Sequence, residues 1–193
     1  MVKIGFICEG ETEATLLQSK MFDLFLADLG GIVVDVIDAQ GAGNLLPHNI
    51  KPFVESLTRK GSEQIVILTD LDEDKCISST KIRINAPPTS TIIIAVKEIE
   101  SWFLAASVTM RSILKVPGFS FPEPEKESSP FQTINNLLIS HTGRGIGKGN
   151  GGKIKLIQRL LNYNFNIREA IEHPRCPSAK YFANKLQTLT AIR

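Results

Sequence analysis

Four short runs of apolar, largely β-branched residues recur along the first hundred positions, and three of them break off into acidic residues. VKIGFIC (2–8) ends in EGETE at Glu9, QIVILT (64–69) in DLDED at Asp70, and TIIIAV (91–96) in KEIE at Glu98. The remaining run, IVVDVIDA, covers 32–39. Six to eight such residues are of strand length. Helical text separates the first three strands. Over Thr12–Leu29, residues Leu16, Leu17, Met21, Leu24, Phe25 and Leu29 share one broad face, with Thr12 as N-cap and Gly30–Gly31 as the stop. A second helix is expected over about Leu45–Lys60, ending at Gly61, and another over Ile99–Ala106 behind the fourth strand. Strand–helix alternation with continuously apolar strands predicts an α/β fold whose central parallel sheet of about four strands is covered on both faces. In such sheets ligands bind at the carboxyl ends of the strands, which is where the acidic residues fall.

The second half of the chain differs. Residues 117–130 (PGFSFPEPEKESSP) read as a Pro-, Glu- and Ser-rich linker between a core over 1–116 and a helical extension over 131–193. Helical patterns return at Phe131–Ser140, Ile154–Leu161, Ile167–Glu172 and about Ser178–Thr190, with no internal repeat. The formal charge of +2 conceals an asymmetry: 15 Asp/Glu against 9 Lys/Arg in residues 1–100, but 5 against 13 in 101–193. An acidic half joined to a basic half fits a cation-binding core beside a surface for polyanions, although solvated basic helices would give the same balance. The three cysteines (Cys8, Cys76, Cys176) are widely spaced and form no Cys-x-x-Cys pair, which argues against a disulfide framework or structural zinc and for a reducing, cytoplasmic setting. The apolar run Ile4–Cys8 is too short for a signal segment, and no stretch approaches the roughly 20 apolar residues of a membrane span.

The chemistry is expected at the strand ends. Glu9 precedes Gly10 in a tight strand-to-helix turn where no cap is needed. Asp70 ends the third strand, and Asp72, two residues on, would point to the same side in extended chain. Glu98 and Glu100 open the following helix, with Glu100 favoured for a role near the site. Anions gathered this closely raise one another's pKa unless a cation compensates. Oxygen ligands suit Mg2+ or Mn2+, and His48, His141 and His173 lie too far apart in sequence to suggest zinc or non-haem iron. Glu11 and Glu13 read as helix-dipole compensation, and Glu73 and Asp74 as solvated turn residues.

These residues together resemble a Toprim domain, the module of topoisomerases, bacterial primases and overcoming-lysogenization-defect nucleases, with a Glu-Gly after the first strand and an Asp-x-Asp after the third. CEGETE, LTDLDED and EIESWFLA are similar to Toprim-like proteins found near restriction and phage-defence genes, over roughly residues 1–106, and CPSAKYFANKL more weakly. The resemblance implies a Toprim-like (Rossmann-like) sheet and a Mg2+-dependent strand-breaking or nucleotidyl-transfer site. Glu9 would be a general acid/base or metal ligand, Asp70 and Asp72 the metal pair, and Glu100 a further acidic residue of the site. No topoisomerase tyrosine domain, primase zinc ribbon or attached ATPase is present in the sequence. Three functions stay open: a small nuclease acting on DNA or RNA, a binding subunit that depends on a partner ATPase, and a small-molecule phosphohydrolase or nucleotidyltransferase.

GRGIGKGNGGK (143–153) invites comparison with a P-loop, but Gly143 to Gly147–Lys148 is one residue short, Gly149 replaces the Ser/Thr, and no strand precedes it. Arg144, Lys148, Lys153 and Lys155 are instead candidates for contacts to nucleic-acid phosphates, the alternative being a mobile linker. Trp102 reads as a core aromatic. Aromatic residues are sparse and not interleaved with these basic residues, which argues against a dedicated surface for single strands.

Overall fold

The computed structural model describes residues 1–147 and 149–191. Its centre is a sheet of four parallel strands, β1 (Val2–Cys8), β2 (Gly31–Asp38), β3 (Gln64–Asp70) and β4 (Ser90–Ala95), in the order β2-β1-β3-β4. The expected α/β architecture and strand number are therefore present. From β1 the chain winds first to one side and then to the other, so the order switches between β1 and β3. A crevice opens at such a point beyond the carboxyl ends of the strands.

Alternation along the strands sends side chains to two apolar layers. Ile4, Phe6 and Cys8 of β1, with Val66, Leu68, Ile93 and Ala95, enter the larger core. Ile7, Ile65 and Ile67 enter the smaller one, opposite Ile50, Val54 and Leu57 of α3 (Pro47–Arg59) and Ile84 of α4 (Ile77–Ile84). Gly5 admits α3 closely on this side, since a Cβ there would lie 2.5 Å from Ser62 Oγ and 3.0 Å from Leu57.

The larger core is built by α1 (Glu11–Leu17), α2 (Lys20–Asp28), α5 (Glu100–Ala105), α6 (Ser107–Leu114), α7 (Pro130–Thr142), α8 (Gly149–Asn162), α9 (Ile167–Glu172) and α10 (Pro177–Ala191). The C-terminal helices share this core with the sheet. Phe182 of α10 lies 6.0 Å from Phe22 of α2 and 5.3 Å from Trp102 of α5, and Phe22 meets Phe6 of β1 edge-on at 5.5 Å. Aromatic contacts of this kind add roughly 0.5–1.5 kcal/mol each beyond area burial. Trp102 is fully buried, as expected, and its Nε1 donates to Ser178 Oγ at 2.7 Å.

Several local expectations change. The helix foreseen over Thr12–Leu29 is two, because Ser19 interrupts it and its hydroxyl accepts the Phe22 N–H to cap α2; Gly10, not Thr12, caps α1. The sequence reading has no helix at 77–84, where α4 buries only Thr80 and Ile84 and leaves Ile77 and Ile82 exposed, so the apolar period is faint. Along 117–130, Phe119 and Phe121 pack on the core, Pro124 is buried, and Glu125 accepts from both the N–H and the hydroxyl of Ser178 at 2.7 and 2.6 Å.

Helix α8 begins at Gly149, inside the glycine-rich segment. Glycines cost a helix about 1 kcal/mol each relative to alanine, so tertiary contacts must hold this turn. A Cβ on Gly152 would lie 2.8 Å from the Phe131 ring and 3.1 Å from the backbone of Gly147. Close packing therefore accounts for Gly152, and the left-handed C-cap of α7 (φ 73°) accounts for Gly143.

Candidate active site

The crevice at the switch point is a cavity of about 440 Å3, lined by Glu9, Glu13, Asp38, Asp70 and Glu100 together with Thr12, Gln40, Lys153 and others. Each strand or its following turn contributes. Glu9 follows β1, Asp38 ends β2, Asp70 ends β3 and Glu100 opens α5 just beyond β4. Parallel topology makes this convergence automatic, because all four carboxyl ends lie on one side.

Glu9 is half-buried, and its Oε2 accepts from Thr69 Oγ1 and, at 3.4 Å, from the Asp70 N–H. Asp70 is buried, with Oδ1 accepting from the Ile99 N–H at 2.8 Å. Glu13, 4% exposed, faces the same cavity from the first turn of α1, and Glu100 is fully buried. Lys153 of α8 reaches in to place Nζ 3.2 Å from Glu98 and 3.3 Å from Glu100 Oε2. The other oxygen, Glu100 Oε1, has no hydrogen-bond partner among the described residues.

Burial and mutual repulsion set the charge balance. Burial, followed by the fields of Glu13, Glu100 and Glu9, holds the Asp70 carboxyl well above the usual carboxylate range. Glu13 is pushed up to about 8, mainly by burial and then by Glu100 and Glu9. Burial also raises Glu100, to about 7, although Lys153 pulls against it. Burial disfavours the Lys153 ammonium, but Glu100, Glu98 and Asp70 outweigh that and keep it charged.

The sequence-predicted residues divide. Glu9, Asp70 and Glu100 come together. Asp72 does not follow Asp70 into the cavity, because the chain turns rather than staying extended; Asp72 adopts φ 47° and is exposed. It still senses the site, its pKa raised by partial burial and by Glu9 and Glu98. Lys153, expected on phosphates, lies in the cavity wall and pairs there with Glu98 and Glu100. Arg144 and Lys155 are exposed, and Lys148 lies outside the described residues. Sequence reasoning missed Asp38, read Glu13 as helix-dipole compensation, and ranked Glu98 behind Glu100 although Lys153 engages both. A signal for Glu13 was present: it lies four positions after Glu9, one turn into the helix leaving the strand.

Among the described residues no three His, Cys, Asp or Glu side chains converge as a ready-made metal site. The carboxylates are spread around the cavity, and Lys153 engages one of them. The donor chemistry nevertheless fits a hard divalent cation. Every candidate ligand is an oxygen, and the partnerless Glu100 Oε1 is a buried acceptor of the kind a cation satisfies. Among the described residues no helix is long and apolar enough to cross a membrane.

No family model and no curated protein match the chain. Among solved structures, the chain is similar to the C-terminal region of the Burkholderia pseudomallei OLD protein at 15% identity, over 97% of this chain and 99% of that one, with a TM-score of 0.47.

Proposed function

We propose that the chain is a Mg2+- or Mn2+-dependent phosphodiesterase acting on DNA or RNA, its cation held by Glu9 and Asp70 with Glu13 and Glu100 alongside. One observation carries this reading: five buried or half-buried carboxylates share a single crevice, and one of their oxygens has no hydrogen-bond partner among the described residues. Burying like charges is expensive, and no packing role repays it here. The Toprim-like sequence pattern around Glu9 and Asp70 supports the same assignment.

When bound, such a cation supplies charge neutralisation at a phosphoryl oxygen and acidifies a water. The protein's own groups then have distinct tasks. Thr69 and the Asp70 N–H orient the Glu9 carboxylate. The Ile99 N–H fixes one Asp70 oxygen and leaves the other for the cavity. Glu13, whose pKa lies near neutrality, is suited to hold or release a proton at the attacking water. Lys153 brings positive charge to the wall on which a phosphate would rest. Asp72, on the exposed turn, would act at the mouth of the cavity and not inside it.

The test is a panel of single-stranded DNA, RNA, duplex and mononucleotide substrates, each with Mg2+ and with chelator. Polynucleotide turnover that needs the cation and disappears in Asp70→Asn is the expected result. Turnover confined to mononucleotides, or polynucleotide cleavage undiminished in Asp70→Asn, would refute the proposal.

A further inference from the structure

Away from the cavity, α4 and α10 lie on opposite faces of the sheet and meet around the free edge of β4. Lys81 of α4 places Nζ 5.4 Å from the centroid of the Tyr181 ring on α10, and Lys185 Nζ lies 5.5 Å from the same ring. Tyr181 keeps 39% of its surface exposed, and neighbouring Lys180 is exposed too. Neither helix, ISSTKIRI or PSAKYFANKLQTLTA, contains an aspartate or glutamate. Arg83 is neutralised by Asp74 at 3.0 Å, whereas Lys81, Lys180 and Lys185 form no ion pair among the described residues. A face serving only solubility would mix both signs, because like charges placed side by side repel. Here two ammonium groups lie against one partly exposed aromatic ring, with Lys180 exposed at the preceding position.

We propose that this flank binds a single-stranded polynucleotide, one base laid on Tyr181 and the adjoining phosphates on Lys81, Lys180 and Lys185. An exposed aromatic among unpaired cations combines the two recurring elements of single-strand recognition, a stacking platform and an electrostatic track. The surface is also continuous with the carboxyl end of the sheet. Ser178, one turn before Tyr181, accepts from the Val96 N–H directly after β4 and from Trp102 of α5. A strand lying along α10 is thereby directed towards the crevice. The inference rests on the hydrolytic reading for the destination of that strand, but not for its binding.

The experiment is fluorescence anisotropy of a labelled oligothymidylate with the full chain in chelator, across a salt series. Tyr181→Ala should weaken binding by about 5- to 150-fold, the range expected when one base loses its stacking platform, while Tyr181→Phe should bind as the parent does. The pair Lys81→Gln with Lys185→Gln should flatten the slope of log affinity against log salt by about 1.4, roughly 0.7 for each phosphate no longer neutralised. Unchanged affinity in Tyr181→Ala, an unchanged salt slope in the lysine pair, or a parent chain that does not bind the oligonucleotide would each overturn the proposal. Duplex binding that is tighter and indifferent to Tyr181→Ala would overturn the stacking half and with it the single-strand assignment. Because the assay needs no chemistry, a chain that binds through these residues but cuts nothing would refute the hydrolytic reading alone. A chain that cuts yet binds independently of this flank would refute this one alone.

Discussion

The acidic crevice and the basic flank are both clusters of like charge, yet they differ in the one respect that governs energy. Glu13, Asp70 and Glu100 are buried, and burial with mutual repulsion drives their pKa values upward. Lys180 is open to water, Lys81 and Lys185 are half-exposed, and at a solvated site such repulsion is weak and readily screened. The crevice therefore strains the fold and should respond to every change of charge. The flank should barely register in stability and respond only when a polyanion arrives.

The contrast breaks most sharply at Lys153. Lys153→Met removes the ammonium facing fully buried Glu100. Loss of one partner of a buried pair should cost about 3–5 kcal/mol at pH 8 in denaturant titrations with chelator. At pH 5, where Glu100 is largely protonated, the cost should shrink; equal losses at both pH values would show that the lysine acts through packing alone. Next in size, Glu100→Gln should lower Mg2+-dependent turnover by about a hundred- to a thousand-fold, while the melting temperature in chelator rises. Lower turnover with a lower melting temperature would mean that Glu100 is structural.

The pH dependence sharpens the same point. Glu13 and Glu100 titrate near 8 and 7 in the folded chain against about 4.5 unfolded. Between those values the folded state holds protons that the unfolded state releases. Their contribution is thus fully present below about pH 4.5 and lost as pH rises towards 8. In chelator the melting temperature should fall from pH 5 to pH 8.5, Glu13→Gln should flatten that fall, and Mg2+ should restore stability most at the alkaline end. A flat profile would remove the electrostatic strain from the account. The smallest effect belongs to the flank, where Lys185→Gln should alter unfolding free energy by less than about 0.5 kcal/mol. A larger loss would tie that lysine into the fold.

Much of the architecture is legible in the chain. Four strand-length apolar runs, the first three separated by helical text, point to a parallel sheet, and parallel strands place Glu9, Asp70 and Glu100 at one end whatever the details of packing. Asp72 does not line the cavity beside Asp70 because a period-2 argument holds only while the chain stays extended, and its backbone is left-handed. Lys153 meets the acids, which the sequence did not foretell, because helix α8 extends back through the glycines, held by a close approach of Gly152 to Phe131 that no spacing rule encodes.

What the sequence alone determined is the sheet and the rim on which carboxylates collect, since hydrophobic period and strand direction are local properties repeated along the chain. Tertiary structure decided which charges meet. Glu13 turned inwards, Lys153 joined Glu98 and Glu100 from more than fifty residues away, and Lys81 reached Tyr181 across a hundred. Such pairings depend on how helices pack on the two faces of the sheet, a matter of side-chain volume and close contact that becomes defined only when the whole core assembles.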